Sequence, residues 1–385
     1  MNEYLPGLEG IPATRSNISN IDGERGILSY RGYSIEQLAA QSTFEETTLL
    51  LLDGVLPTAQ ELAGFDAQLR RNRPLKYQVR DLMKTLPATG HPMEMLQTAV
   101  AALGMFYPGN ECLSSGDVCD DIDYVHSMTV KIIARMGSIV TMWEHIRNGY
   151  DPIGPRDDLT YAENFLYMLT GKEPDPLLAK LLDVCLILHA EHTINASTFS
   201  LMVTGSTLAT PNSVLAAAIG TLSGPLHGGA NQKVLEMLAE VGTPDRAEEY
   251  VENKLANKEV IWGMGHREYK TKDPRATILQ KLVRELLESR GDEVNTLFET
   301  GLAVEKAAED RLASKGVYAN VDFYSGILYH QMGIPADQFT AIFAISRSAG
   351  WLAHWREQLG NNRIFRPTQV YSGEPLRDYV PLDKR

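Results

Sequence analysis

Segments of helical periodicity follow one another along this chain with almost no strand pattern between them, and that excludes most architectures at once. Ser34-Ile-Glu-Gln37 has the form of a capping box and opens SIEQLAAQSTFEETTLLLL. Pro57-Thr58-Ala-Gln-Glu61 starts a second helix, and Pro92, just after His91, starts a third, MEMLQTAVAALGMF. DYVHSMTVKIIARMGSIVTMWEHIRNG carries apolar residues three and four apart and stops at Gly149. PLLAKLLDVCLILHAEHTINASTFSLMVTGS is apolar on several faces and predicts one long buried central helix. More helical stretches follow, from SVLAAAIGTLSG to ADQFTAIFAISRSAGWLAHWREQLG. Only GILSYRG, near Gly26–Gly32, and TQVYSG, near the C-terminus, read as strands. With no alternation of strand and helix, a Rossmann sheet is unsupported. The predicted fold class is all-α with minor short β.

The 385 residues make roughly two to three domain-sized units, enough to bury a core without staples. The apolar run TLLLLDGVL is interrupted at Asp53, well short of the ~20 residues a bilayer needs. MNEYLPGLEGIP has no basic region followed by an apolar core, so no secretory signal is expected. Cys112, Cys119 and Cys185 have no CxxC spacing, which predicts thiols in a reducing, cytoplasmic setting and neither a disulfide framework nor a zinc site. A net charge of −13 argues against nucleic acid or a membrane surface as partner, yet allows a local cationic pocket for a small anion.

Five constellations could carry chemistry. His189-Ala-Glu-His192 would place two imidazoles on one helix face, as core histidines, substrate contacts or two metal ligands. In SGPLHGGANQKVLEML, glycines surround His227 and a helix N-terminus follows, suited to an anion or a developing negative charge, unless the stretch is a plain turn. In WGMGHREYKTKDPRA, Gly263 and Gly265 flank His266, and Lys270, Lys272 and Arg275 follow, either a solvated basic face or an anion site. In ANVDFYSG, Asp322 lies between Val321 and Phe323: a carboxylate made more basic by apolar surroundings, or a helix N-cap. Arg347, Arg356, Arg363 and Arg366 form a C-terminal set of the residue type that grips carboxylates. Glycine-rich turns at Gly224–Gly229, at Gly263–Gly265 and near Gly326 are the best hinge candidates, and they bracket residues 228–327.

The order HAEH, GPLHGGAN, GMGHREYKTKDPR, NVDFYSG, ISRSAG and RP closely resembles the citrate synthase family, as do GLEGIPATRSNISNIDGERGILSYRGYSIEQLA and HPMEMLQTAVAALG. The resemblance spans nearly the whole chain. It implies a helical two-domain fold, with residues 1–227 and 328–385 as the large domain and 228–327 as the small one. It implies condensation of acetyl-CoA with oxaloacetate and hydrolysis of citryl-CoA, with no metal or redox cofactor. His227 matches the histidine that stabilises the enol, His266 the one that polarises the ketone, and Asp322 the base. His192, Arg275 and Arg347 match oxaloacetate contacts. Arg366 matches an arginine that reaches the partner subunit's site, which implies a homodimer. Lys270 and Lys315 fall where basic residues meet the CoA phosphates. A 2-methylcitrate synthase, using propionyl-CoA on the same residues, is the nearest alternative. The chain resembles the short form of the family, without the N-terminal extension of relatives inhibited by NADH.

Overall fold

The structure, a computed structural model, describes residues 4–107, 122–291 and 295–385. Cys112 and Cys119 lie outside the described residues. Sixteen α-helices and one small sheet are present among the described residues. The sheet is antiparallel and runs β1 (Ser19–Asp22), β2 (Ile27–Tyr30), β3 (Tyr33–Ser34) in order. Ser19 pairs with Tyr30 and Asp22 with Ile27, so β1 and β2 are joined by a tight turn over residues 23–26. GILSYRG is thus one arm of a hairpin.

Local signals decide most helix starts. Thr58 and Glu61 form a reciprocal capping box ahead of helix Ala59–Asn72, and Thr160 and Glu163 repeat it ahead of Tyr161–Thr170. Ser34 accepts the Gln37 N–H to open Ile35–Gln41. His91 caps Pro92–Phe106, and Asp273 caps Pro274–Ser289, each with proline in the first turn.

Two expectations are corrected. The segment 176–206 is two helices, Pro176–His189 and Ala196–Gly205. The break follows from tertiary hydrogen bonds. Tyr30 Oη donates to the Glu191 carbonyl at 2.9 Å and accepts the Glu191 N–H, while Gly350 N–H donates to the Ala190 carbonyl. Asn195 then caps the second helix by accepting the Thr198 N–H. His189 and His192 therefore do not share a helix face. The second correction is TQVYSG, which forms no strand. Residues 363–381 have no regular structure and are almost wholly exposed, so no neighbouring strand supplies a ladder.

The core is apolar and centred on helix Phe339–Leu359, which buries Trp351 and Trp355 and packs on helices Phe44–Asp53, Ile122–Arg147, Pro176–His189 and Ala196–Gly205. Helix Ala230–Val241 lies directly on helix Val321–Gln331. A Cβ on Gly326 would fall 2.5 Å from the Asn231 carbonyl oxygen, so only glycine permits this approach. That contact brings the segment following His227 against the helix that carries Asp322 in its first turn.

Candidate active site

His227 stands in the loop before helix Ala230–Val241, with its Nε2 against the start of helix Ala196–Gly205. The Ser197 backbone N–H donates to Nε2 at 3.2 Å, and Ser197 Oγ lies 2.8 Å away. A backbone N–H cannot change roles, so Nε2 accepts and the ring proton sits on Nδ1. Trp351 Nε1 donates to Ser197 Oγ and braces it. Burial first, and the Arg347 charge second, hold the His227 pKa down to about 4. A neutral ring with a free Nδ1–H is a hydrogen-bond donor for an oxygen that gains negative charge.

His266 has the complementary tautomer. Its Nδ1 accepts the Glu268 backbone N–H at 3.0 Å, which leaves the proton on Nε2. Burial, with Arg275 and Lys270 adding to it against Asp273, lowers its pKa to about 4. Its ring stands edge-on to His192 at 4.9 Å and against Tyr269 at 4.8 Å. Tyr269 Oη lies 3.1 Å from His192 Nε2. His192 is buried and its pKa is held well below the ordinary value, by burial first and then by Arg275 and His266.

Two buried guanidiniums flank these rings. Arg275 is held by Asp273 through Nε (3.0 Å) and Nη2 (2.7 Å). Burial works against that charge, but Asp273, with Tyr269 and Tyr30 adding to it, raises the Arg275 pKa on balance. Arg347 uses only Nε, donating to the His189 carbonyl at 2.7 Å, and packs over the Phe343 ring. Its two terminal nitrogens have no partner among the described residues. Burial pushes its pKa down to about 10, with Glu191 opposing. A buried guanidinium with an open fork has the geometry to receive a carboxylate.

Asp322 is not the N-cap. Asn320 caps helix Val321–Gln331 by accepting the Asp322 N–H, which leaves Asp322 in the first turn with no partner for its carboxylate among the described residues. Burial raises its pKa to about 6, with Arg275 and Arg347 pulling down and Asp273 pushing up. The same two guanidiniums thus act on Asp322, on His192 and on the two other imidazoles: Arg347 on His227 and Arg275 on His266. The backbone ties the parts together. Asn320 N–H donates to the Gly263 carbonyl at 2.9 Å, and Asn320 Nδ2 to the Gly265 carbonyl at 2.8 Å. The loop that carries His266 is therefore stitched to the turn that presents Asp322.

The profile of the family described as "Citrate synthase, C-terminal domain" matches residues 7–368. A citrate synthase of Acidithiobacillus ferridurans is 60% identical over 99% of this chain and 98% of its own length. One from Synechocystis sp. is 52% identical over 99% of this chain and 94% of its own. The chain belongs to the citrate synthase family. The crystal structure of citrate synthase from Pyrobaculum aerophilum superposes with a TM-score of 0.92 at 42% identity, covering 98% of this chain and 95% of that one. The citrate synthase of Thermoplasma acidophilum, solved as a ternary complex with carboxymethyl coenzyme A and oxaloacetate, superposes with a TM-score of 0.92 at 33% identity over 100% of both chains.

The mostly helical fold is that of citrate synthases, and the chain is an enzyme of this C–C bond-forming family. Within one chain His192, His227, His266, Arg275, Arg347 and Asp322 converge. Arg366 does not join them; it is exposed and its Nη1 donates to the Pro367 carbonyl. Lys270 and Lys315 are exposed neighbours, since the Gly316 Cβ position lies 3.5 Å from Lys270 Cα. Lys272 is not free for a ligand: its Nζ pairs with Glu305 at 2.6 Å and lies over the Tyr324 ring. His189 is a core residue, with Nδ1 2.7 Å from the Cys185 carbonyl oxygen and its pKa lowered by burial to about 3. No cluster able to hold a metal ion occurs among the described residues.

Sequence reasoning missed Tyr269, Asp273, Ser197 and Asn320. Asp273 read only as a helix opener, although an Asp two residues before an Arg can cap a helix and clamp that guanidinium together. Asn195-Ala-Ser197 is a cap signal hidden inside an apolar run.

Proposed function

We propose that this chain condenses acetyl-CoA with oxaloacetate through an enol, on His227, His266 and Asp322. One observation carries the reading: two neutral imidazoles with opposite, backbone-imposed tautomers and one unpaired carboxylate surround two buried guanidiniums. Asp322 takes a proton from the thioester methyl group while His227 Nδ1–H donates to the thioester oxygen as charge develops. His266 Nε2–H polarises the ketone of oxaloacetate. The enol carbon attacks the ketone carbon, and the new alkoxide takes up a proton. Water then cleaves the citryl thioester, yielding citrate and CoA thiol. His192 and the Arg347 fork hold the carboxylates in near-attack geometry, and Lys270 and Lys315 meet the CoA phosphates. No further cofactor is called for. Residues 228–327, which carry the His266 loop and Asp322, act as a small domain that closes on the rest and excludes water. The setting is cytoplasmic; no described helix is long and apolar enough to cross a membrane.

Charge accounting supports a second subunit. Oxaloacetate brings two carboxylates, but Arg275 is already neutralised by Asp273, and Glu191 stands near Arg347. One more cation is wanted, and Arg366 of a second copy supplies it. Exposed Ile364, Val370, Tyr371 and Leu376 on the same arm suit burial against that copy. A cavity of about 730 Å³, lined by Ile11, Phe199, Val203, Phe365 and Arg366, opens between the two terminal segments on that side.

Thiol release with oxaloacetate tests the reaction: acetyl-CoA should be turned over faster than propionyl-CoA, with citrate as product. The reverse order would favour a 2-methylcitrate synthase. Subunit sharing predicts that Arg366→Ala and Asp322→Ala proteins, each nearly inactive, recover about a quarter of wild-type activity when mixed and exchanged. Half the dimers are then mixed, and each has one intact site. No recovery after verified exchange would exclude a shared site.

A further inference from the structure

Gly23 and Gly26 begin and end the turn between β1 and β2, which is closed by the Arg25 N–H donating to Asp22 Oδ1 at 3.0 Å. Gly26 has φ +64, a turn requirement that accounts for glycine there. Gly23 has no positive φ, so the turn alone does not call for glycine. Its reason lies in the segment packed against it. The run Glu268–Lys272 crosses the turn, and Lys270 N–H donates to the Gly23 carbonyl at 3.0 Å. A Cβ on Gly23 would fall 1.9 Å from the Glu268 carbonyl oxygen and 2.8 Å from its carbonyl carbon. Both are backbone atoms, so no side-chain rotation relieves the clash. A Cβ on Gly26 would meet the Thr271 Cγ2 at 2.8 Å, a softer obstacle.

Glu268 is also the residue whose N–H holds His266 Nδ1. We propose that Gly23 is a positioning residue for ketone activation. By letting the hairpin turn seat directly on Glu268, it fixes the peptide that keeps the His266 proton on Nε2, aimed at the substrate carbonyl. The same seat sets Tyr269, which follows Glu268 and lies against both His192 and His266. A contact between residues 23 and 268 thereby governs an imidazole that Gly23 does not touch. The inference rests on the proposed role of His266.

The test uses the whole enzyme with oxaloacetate labelled at the ketone carbon. In the wild type, the infrared carbonyl stretch of bound oxaloacetate should lie at lower frequency than in solution, the mark of a polarised ketone. Gly23→Ala should lose most of that shift while still binding oxaloacetate, and kcat should fall about 100-fold, the scale of an ångström-sized misplacement. Gly64→Ala, where a Cβ meets nothing within 4 Å, controls for added side chains in general. Gly26→Ala should reduce the shift less, and Gly26→Ala with Thr271→Ser, which removes the obstructing methyl, should regain at least half of it. This pair decides the matter should Gly23→Ala fail to fold. A wild-type carbonyl shift and kcat in Gly23→Ala, or in Gly26→Ala where Gly23→Ala is unfolded, overturns the proposal. His266→Asn separates it from the underlying reading: a full carbonyl shift in that variant removes His266 itself from ketone activation.

Discussion

Asp322→Asn should lower thiol release about 10³-fold, within the range for loss of a positioned general base, while oxaloacetate still binds. The carboxylate has no hydrogen-bond partner among the described residues, so its removal breaks no contact that holds the fold. The pH dependence carries a second signature. Burial raises the Asp322 pKa to about 6, and the base must be ionised, so kcat/KM in the wild type should fall tenfold per pH unit below that value. His227 and His266, both near pKa 4, stay neutral through this range and contribute no limb above it. The sign for stability is opposite to that of a salt-bridged acid. A carboxyl whose folded pKa exceeds its unfolded value binds its proton more tightly in the fold. Stability is therefore lost as pH rises from the unfolded pKa through about 6, by up to ~3 kcal/mol for two units. Asp322→Asn should be as stable as the wild type at low pH and more stable at pH 8, as measured by chemical denaturation. A variant that keeps wild-type turnover would show that Asp322 is no base.

Arg347→Lys should raise the KM for oxaloacetate about 100-fold with a much smaller change in kcat. The two open terminal nitrogens of Arg347 match a carboxylate bidentately, and an ammonium offers a single point of contact. Losing a charge-assisted grip in a buried site costs about 2–5 kcal/mol, which spans that change. The third nitrogen matters too. Nε anchors the fork on the His189 carbonyl, and a lysine in this position cannot hold that carbonyl and reach the substrate at once. Steady-state kinetics at saturating acetyl-CoA separate the terms. An unchanged KM would place the carboxylate elsewhere.

How far the chain could be read in advance differs from feature to feature. Helix starts such as Thr58, His91 and Asp273 follow local rules, because a cap needs only residues a turn apart. Three of the side chains brought together at the site were also marked locally: His227 and His266 by flanking glycines, Asp322 by apolar neighbours. Their order along the chain carried the family. The break at residues 190–195 was not readable, since Tyr30 and Gly350, distant in sequence, hold the carbonyls and N–H groups that a continuous helix would have used. Lys272 looked like part of an anion site because its partner, Glu305, lies on a helix more than thirty residues further along the chain.

What the sequence determined by itself is the helical class and the family, and it marked the candidate reacting groups, all through short motifs. Only the tertiary structure decided their protonation. The Ser197 and Glu268 N–H groups assign opposite tautomers to two histidines, and packing lifts one carboxylate to a pKa of about 6. The physical reason is that proton positions and charge energies depend on neighbours in space: Ser197 lies 30 residues from His227, and even the Glu268 N–H, two residues from His266, is aimed at the ring only by the fold of its loop.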